Sequence, residues 1–162
     1  HGKFAIHSAS ILYKEKAWLF SGHSGMGKST HTSMWHEFLQ TPYLNGDLNL
    51  LGIENDRIMV YGIPWCGTSE IYTTVNYELG GIILLGRDPE KDFLKELTPS
   101  ERVIRVMQRM ISPSWKERCF SRNLDFAGDI AEHVPVLYLL CTKNPSAVYT
   151  IQKEIDRLED LR

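Results

Sequence analysis

The sequence predicts an α/β domain, on three observations. The stretch Gly22-His23-Ser24-Gly25-Met26-Gly27-Lys28-Ser29-Thr30 fits the pattern G-x-x-x-x-G-K-[ST] at every constrained position. It follows the apolar run Ala17-Trp18-Leu19-Phe20, so a strand, a loop and a helix come in the order this pattern requires. Strand-like segments fill most of the first half, and helical ones gather toward the C-terminus.

The glycines of the first stretch let the backbone curl so that several N–H groups face one anion, and the following helix adds the positive end of its dipole. A phosphate is the expected guest. Lys28 would reach the β- and γ-phosphates of a nucleotide, and the Ser29 hydroxyl would take one position on a bridging magnesium ion. An isolated glycine pair before a helix is usually only a tight connection, but here the pattern is complete and in its proper context. It specifies a nucleotide and leaves the reaction open, since kinases, ATPases, GTPases and switches all use it.

A chain of 162 residues with ordinary apolar and charged fractions is long enough to bury one core, and a single domain over 1–162 is expected. The net charge of −2 and the absence of any lysine or arginine block exclude the electrostatic footprint of a nucleic-acid binder. Arg102, Arg105 and Arg109 come nearest to a basic face, and at helical spacing they read as solvated surface. Cys66, Cys119 and Cys141 form no C-x-x-C pair, which fits reduced thiols and a cytoplasmic protein. No signal peptide and no membrane-length apolar run is present, so no membrane partner is expected. The opening His1-Gly2-Lys3 leaves room for an upstream segment.

In chain order, Phe4 to Tyr13 reads as one extended segment, and Lys14-Glu15-Lys16 as the turn of a hairpin into Ala17 to Phe20. His7 falls on the strand beside the loop, where a lone histidine is more often a half-buried polar residue than a functional one. A helix runs from Lys28 to about Leu39, with Met34, Trp35, Phe38 and Leu39 on its apolar side, and Thr41-Pro42 stops it. His23, His31 and His36 are too dispersed for a metal set and are assigned to the surface. Tyr43 to Leu51 carries an apolar strand into the turn Asn45-Gly46-Asp47. Asp47 is the first acid downstream that could face the loop, to hold magnesium or accept a proton; an ordinary turn aspartate is the other reading.

Glu54 to Arg57 is a turn between hairpin strands Leu48 to Ile53 and Ile58 to Ile63. Gly62 to Tyr72 is polar and Gly-rich yet carries Trp65, Glu70 and Tyr72, as binding loops do. Glu70 is either a second acid for a metal or a solvated carboxylate, and spacing does not decide. Leu79 to Leu85 has the continuous apolar character of a strand covered on both faces. Asp88 to Leu97 receives no structure. Thr98-Pro99-Ser100-Glu101 is a capping box, so a helix starts there, with Val103, Ile104, Val106, Met107, Met110 and Ile111 on its apolar face and Pro113 at its end. A second helix follows from Ser114 to His133, bent near Gly128, then a strand from Val134 to Cys141. Asn144-Pro145 caps a last helix carrying Val148, Ile151, Ile155 and Leu158.

His7 ahead of the loop, Gly22 to Ser29, Asn45-Gly46-Asp47 and Thr68-Ser69-Glu70-Ile71 together resemble the catalytic domain of HPr kinase/phosphorylase. Trp18-Leu19-Phe20-Ser21-Gly22, Leu44 to Leu50 and Pro64-Trp65-Cys66-Gly67-Thr68 are more similar still to the shorter HPr-kinase-like proteins of lasso-peptide and related peptide-modification pathways. The resemblance covers the first half of the chain well and the rest only as a pattern of strands and helices. It implies a P-loop-containing mixed β-sheet related to phosphoenolpyruvate carboxykinase. It also implies that Gly22, Ser24, Gly25, Met26, Gly27, Lys28, Ser29 and Thr30 hold ATP, that Ser29 and Glu70 serve Mg²⁺, that Asp47 activates the acceptor hydroxyl and that His7 stands near the active site. Two departures stand out. HPr kinases have adjacent acids where this chain has Gly46-Asp47, and their C-terminal region that grips the protein substrate is not recognisable here, which argues against HPr as acceptor.

The expected activity is therefore ATP- and Mg²⁺-dependent transfer to a serine of a peptide or small protein, with a homo-oligomer allowed. A nucleotide-binding regulatory module without transfer, favoured by Gly46 in place of an acid, and a small-molecule kinase are the alternatives. The sequence leaves open the acceptor and the choice between ATP and GTP.

Overall fold

A computed structural model describes residues 2–23, 27–63, 73–111 and 117–161. Ten strands and four helices follow one another along these residues. The longest strand, β7 (Tyr77–Arg87), is buried along most of its length, as its unbroken apolar run requires. On one side β7 pairs in parallel with β3 (Lys16–Ser21). On the other its first residues pair antiparallel with β6 (Arg57–Tyr61), and its remainder pairs in parallel with β10 (Val136–Cys141). The sheet thus branches at β7, and it is mixed.

Beyond β3 lie β2 (Ala9–Tyr13) and β4 (Tyr43–Asn45); beyond β6 lie β5 (Leu48–Glu54), β1 (Lys3–His7) and the short β9 (Met110–Ile111). β8 (Phe93–Lys95) pairs with β10. Both two-residue hairpin turns, Lys14-Glu15 and Asn55-Asp56, have positive φ at each residue, the type I′ geometry whose twist matches the flanking strands.

Helices cover the parallel region on both faces. α1 (Lys28–Leu39) and α4 (Ser146–Asp160) bury Trp35, Val148, Ile151 and Ile155 against Trp18, Phe20, Ile83, Leu85 and Leu139. α2 (Pro99–Arg109) and α3 (Glu117–His133) bury Val106, Phe126, Ala127 and Ile130 against Leu19, Ile82 and Leu84. Alternation along β3 and β7 sends neighbouring side chains to opposite cores. The Trp18 ring lies against Gly80 and Gly81, where an added Cβ at Gly80 would come within 2.5 Å of the indole, so only glycine lets the two strands approach here.

Several elements differ from the expectation. The single extended segment from Phe4 to Tyr13 is two strands that part at Ser8, β1 joining β5 and β2 joining β3. Met110 and Ile111 leave the helical face to pair with Ile6 and Ala5, so α2 ends at Arg109. The unassigned segment from Asp88 contains β8. α3 is continuous through Gly128. Residues 112–116, including Pro113 and the expected helix start at Ser114, lie outside the described residues. The capping box at Thr98 is present in full. At α4, Asn144-Pro145 supplies no side-chain cap; Asp92, distant in sequence, accepts from Thr142 N–H at 2.7 Å, from Thr142 Oγ1 at 2.9 Å and from Ser146 Oγ.

Candidate active site

Strands β3, β7 and β10 run parallel, so Ser21, Arg87 and Cys141 end at the same rim, the position where open α/β sheets bind ligands. α1 starts there. Its N-cap, Gly27, has φ 84° and ψ 30°, a left-handed geometry that glycine adopts without strain. The first turn of α1 has neither a side-chain cap nor an acidic residue, and its leading amides lack acceptors inside the helix, as at any helix start. Among the described residues the positive end of the helix is therefore available to an anion. A cleft of about 480 Å³ opens at this point, with Lys28, Ser29 and Thr30 on one wall, His7 and Asp47 on another, and Thr142 and Lys143 beyond.

Lys28 Nζ stands 3.1 Å from His7 Nδ1 and 3.3 Å from Nε2. An ammonium can only donate, so a hydrogen bond between the two requires one ring nitrogen to accept, which the neutral form of His7 supplies. The electrostatics agree: burial, then the charges of Lys28 and Arg109, hold the His7 pKa below its usual value against the opposing pull of Asp47. Burial and Arg109 likewise lower the Lys28 pKa, and Asp47 raises it. Lys28, His7, Asp47 and Arg109 thus form one electrostatic unit. The backbone carbonyl of His7 accepts from Ser21 Oγ at 2.6 Å.

Asp47 is held by a buried polar network that the sequence analysis missed. Asn45 Oδ1 accepts from Asp47 N–H at 2.9 Å and from Leu48 N–H at 3.0 Å, the side-chain turn that asparagine forms readily. Asn49 Nδ2 donates to Ser8 O and Ser8 Oγ, and its Oδ1 accepts from Ser10 Oγ at 2.7 Å. Ser8 N–H in turn donates to the Asp47 carbonyl at 3.2 Å. Ser8, Ser10, Asn45 and Asn49 are all buried. The break between β1 and β2 thus locks the turn carrying Asp47 beside the strand carrying His7.

Of the residues expected at the site, His7, Gly27, Lys28, Ser29, Thr30 and Asp47 line this cleft, and Gly22 borders a second cavity on the far side of the rim. Ser24, Gly25, Met26 and Glu70 lie outside the described residues, as does the loop from Pro64 to Tyr72. His31, assigned to the surface, is buried: it packs on Phe20 and its Nε2 accepts from Trp35 Nε1 at 3.1 Å. Cys141 on the cleft wall is no nucleophile, since burial pushes its thiol up to about 11. Arg109, read as solvated surface, approaches His23 Nδ1 at 3.4 Å and acts on both Lys28 and His7. Among the described residues no helix is long and apolar enough to cross a membrane.

No family model matches the chain, and no curated protein does. Among solved structures the chain is similar to the Hpr(Ser) kinase/phosphatase from Coxiella burnetii, at 13% identity and a TM-score of 0.41, over 75% of this chain and 88% of that one. A likeness at that score carries no weight for the site or its chemistry.

Proposed function

We propose that the chain is an ATP- and Mg²⁺-dependent kinase that transfers the γ-phosphoryl group to a serine hydroxyl of a peptide or small protein. The observation that carries this reading is the grouping of Lys28, His7 and Asp47 in one cleft at the head of α1. The donor set suits a nucleotide triphosphate: helix amides and an ammonium for the phosphates, and the exposed Ser29 hydroxyl for a magnesium ion. Bound MgATP would supply the phosphoryl group and the cation that offsets its charge.

Each residue has a definite task in this scheme. Lys28 holds phosphate oxygens through N–H donors, and the His7 ring, within hydrogen-bond distance of its ammonium, keeps it aimed into the cleft between encounters. Asp47 accepts the proton of the acceptor hydroxyl as that oxygen attacks, and the Asn45 turn keeps the carboxylate in register. Glu70 is proposed as a further metal ligand on the resemblance in sequence alone. The same resemblance suggests a place in peptide natural-product modification, in the cytoplasm. A regulatory module that binds nucleotide without transfer is favoured by the single acid at Gly46-Asp47.

ADP formation measured with and without serine peptides tests the reading. Peptide-dependent ADP release, with one phosphate found on serine by mass spectrometry, is expected. Phosphate appearing only on a free metabolite would reject the peptide acceptor, and binding without turnover would favour the regulatory module.

A further inference from the structure

On the face of the sheet opposite α1, below the same rim, a second cavity of about 250 Å³ lies between the start of the loop and the last turns of α2. Leu84, Tyr138 and Leu140 form its floor, and Arg87, Arg105 and Arg109 reach it. The Arg105 guanidinium lies 4.4 Å from the centre of the Tyr138 ring, a stacking that fixes its plane and leaves its N–H edge for a ligand. Arg109 approaches His23.

Among the described residues neither Arg105 nor Arg109 has a carboxylate within ion-pair distance, whereas Arg57 and Arg157 on the open surface do. Glu101, one turn before Arg105, exerts some charge on it but is committed to the helix cap at Thr98. Basic residues at a helix C-terminus ordinarily favour the dipole from solvent. These two instead reach a cavity whose third arginine comes from β7. A chain of net charge −2 gathers Lys28, Arg87, Arg105, Arg109 and Lys143 around one rim, with Asp47 among them, a concentration of positive charge that favours an anionic ligand.

The nucleotide phosphates have their donors at the head of α1, on the other face. We propose that Arg105 and Arg109, with Arg87, form a subsite for an anionic group, a carboxylate or a phosphate, that the acceptor carries next to its reacting hydroxyl. The influence of Arg109 on Lys28 and His7 supports placing that group beside the point of transfer. The proposal rests on the kinase reading and adds the class of acceptor: an acidic or already phosphorylated peptide.

The test uses three labelled peptides that differ only beside the acceptor serine, with aspartate, phosphoserine or asparagine there. Their affinities are measured by fluorescence anisotropy for the wild-type chain, Arg105→Gln, Arg109→Gln and the charge-preserving Arg105→Lys. The wild type is expected to bind the anionic peptides about tenfold or more tightly than the asparagine peptide, as charge-assisted hydrogen bonds to arginine imply. The preferred anionic peptide names the source. Each Gln variant should bring the anionic-to-neutral ratio close to one, and Arg105→Lys should keep part of it. Using the ratio separates this effect from a general loss of folded protein. No preference in the wild type, or a preference that survives both Gln substitutions, would overturn the proposal; so would weaker ATP binding in the Gln variants with the peptide ratio unchanged, because the arginines would then serve the nucleotide. Phosphate transfer is followed in parallel: no transfer to any peptide counts against the kinase reading, while the binding ratio still reports on the subsite.

Discussion

Acidification is expected to destabilise the fold through His31. Its ring is 3% exposed, packs on Phe20 with centroids 4.8 Å apart, and accepts a hydrogen bond from the Trp35 indole. Protonation would place a second donor opposite the indole N–H and a charge inside the core. Burial accordingly lowers the His31 pKa from 6.5 to about 4, with Asp92 pulling weakly the other way. Between those two values the unfolded chain binds a proton that the folded chain refuses, so stability falls as pH drops through that window and levels off below it. At about 1.4 kcal/mol per decade in proton affinity, the full effect is on the order of 3 kcal/mol. Urea unfolding of the wild type and of His31→Gln from pH 7 to pH 4 measures it, since glutamine keeps an acceptor for Trp35 and cannot titrate. The wild type should lose more stability than the variant by roughly that amount. His7, also lowered, contributes in the same direction to both proteins and cancels in the comparison. Parallel pH profiles, or an NMR titration of His31 centred near 6.5, would refute the reasoning.

Two further expectations concern the site. Asn45→Ala strands the N–H groups of Asp47 and Leu48, at a cost of about 1–3 kcal/mol, and the Tm should drop by several degrees; Asn45→Asp, which keeps an acceptor, should lose less, and an unchanged Tm for the alanine variant would count against the buried network. Lys28→Ala should leave the circular dichroism spectrum intact and weaken ATP binding about tenfold or more by calorimetry, because it removes the ammonium at the head of α1. Unchanged affinity together with unchanged turnover would remove Lys28 from the site.

Much of this architecture was legible where local chemistry decides it. The start of α1 at Lys28, the capping box at Thr98 and the apolar run of β7 each carry a signal within a few residues. What escaped depends on distant partners. The break at Ser8 leaves no mark on the alternation of Phe4 to Tyr13, because what separates the strands is the buried network with Asn45 and Asn49. Met110 and Ile111 stay in phase with the apolar face of α2, and only pairing with β1 takes them out of the helix. Asp92 ties down the approach to α4 from fifty residues away, accepting from Thr142 across the β8–β10 pairing. Arg105 and Arg109 have the spacing of a solvated helix face, and sequence does not reveal that this face borders a cavity. For the same reason His31, one turn into α1, gave no sign that it faces Phe20 rather than water. The acid beside Gly46 was identifiable as a candidate; what holds it was not.

The central claim is that Asp47 accepts a proton during transfer at the cleft formed with Lys28 and His7. Its most direct test is the turnover of Asp47→Asn beside that of the wild type, with MgATP affinity measured on both proteins and magnesium varied. Loss of the base should lower kcat by about 10²-fold or more, leave MgATP affinity nearly unchanged and resist rescue by magnesium. Recovery of rate at high magnesium would make Asp47 a metal ligand instead. Near-normal kcat in Asp47→Asn alongside an inactive His7→Ala would transfer the role to His7 and contradict the account.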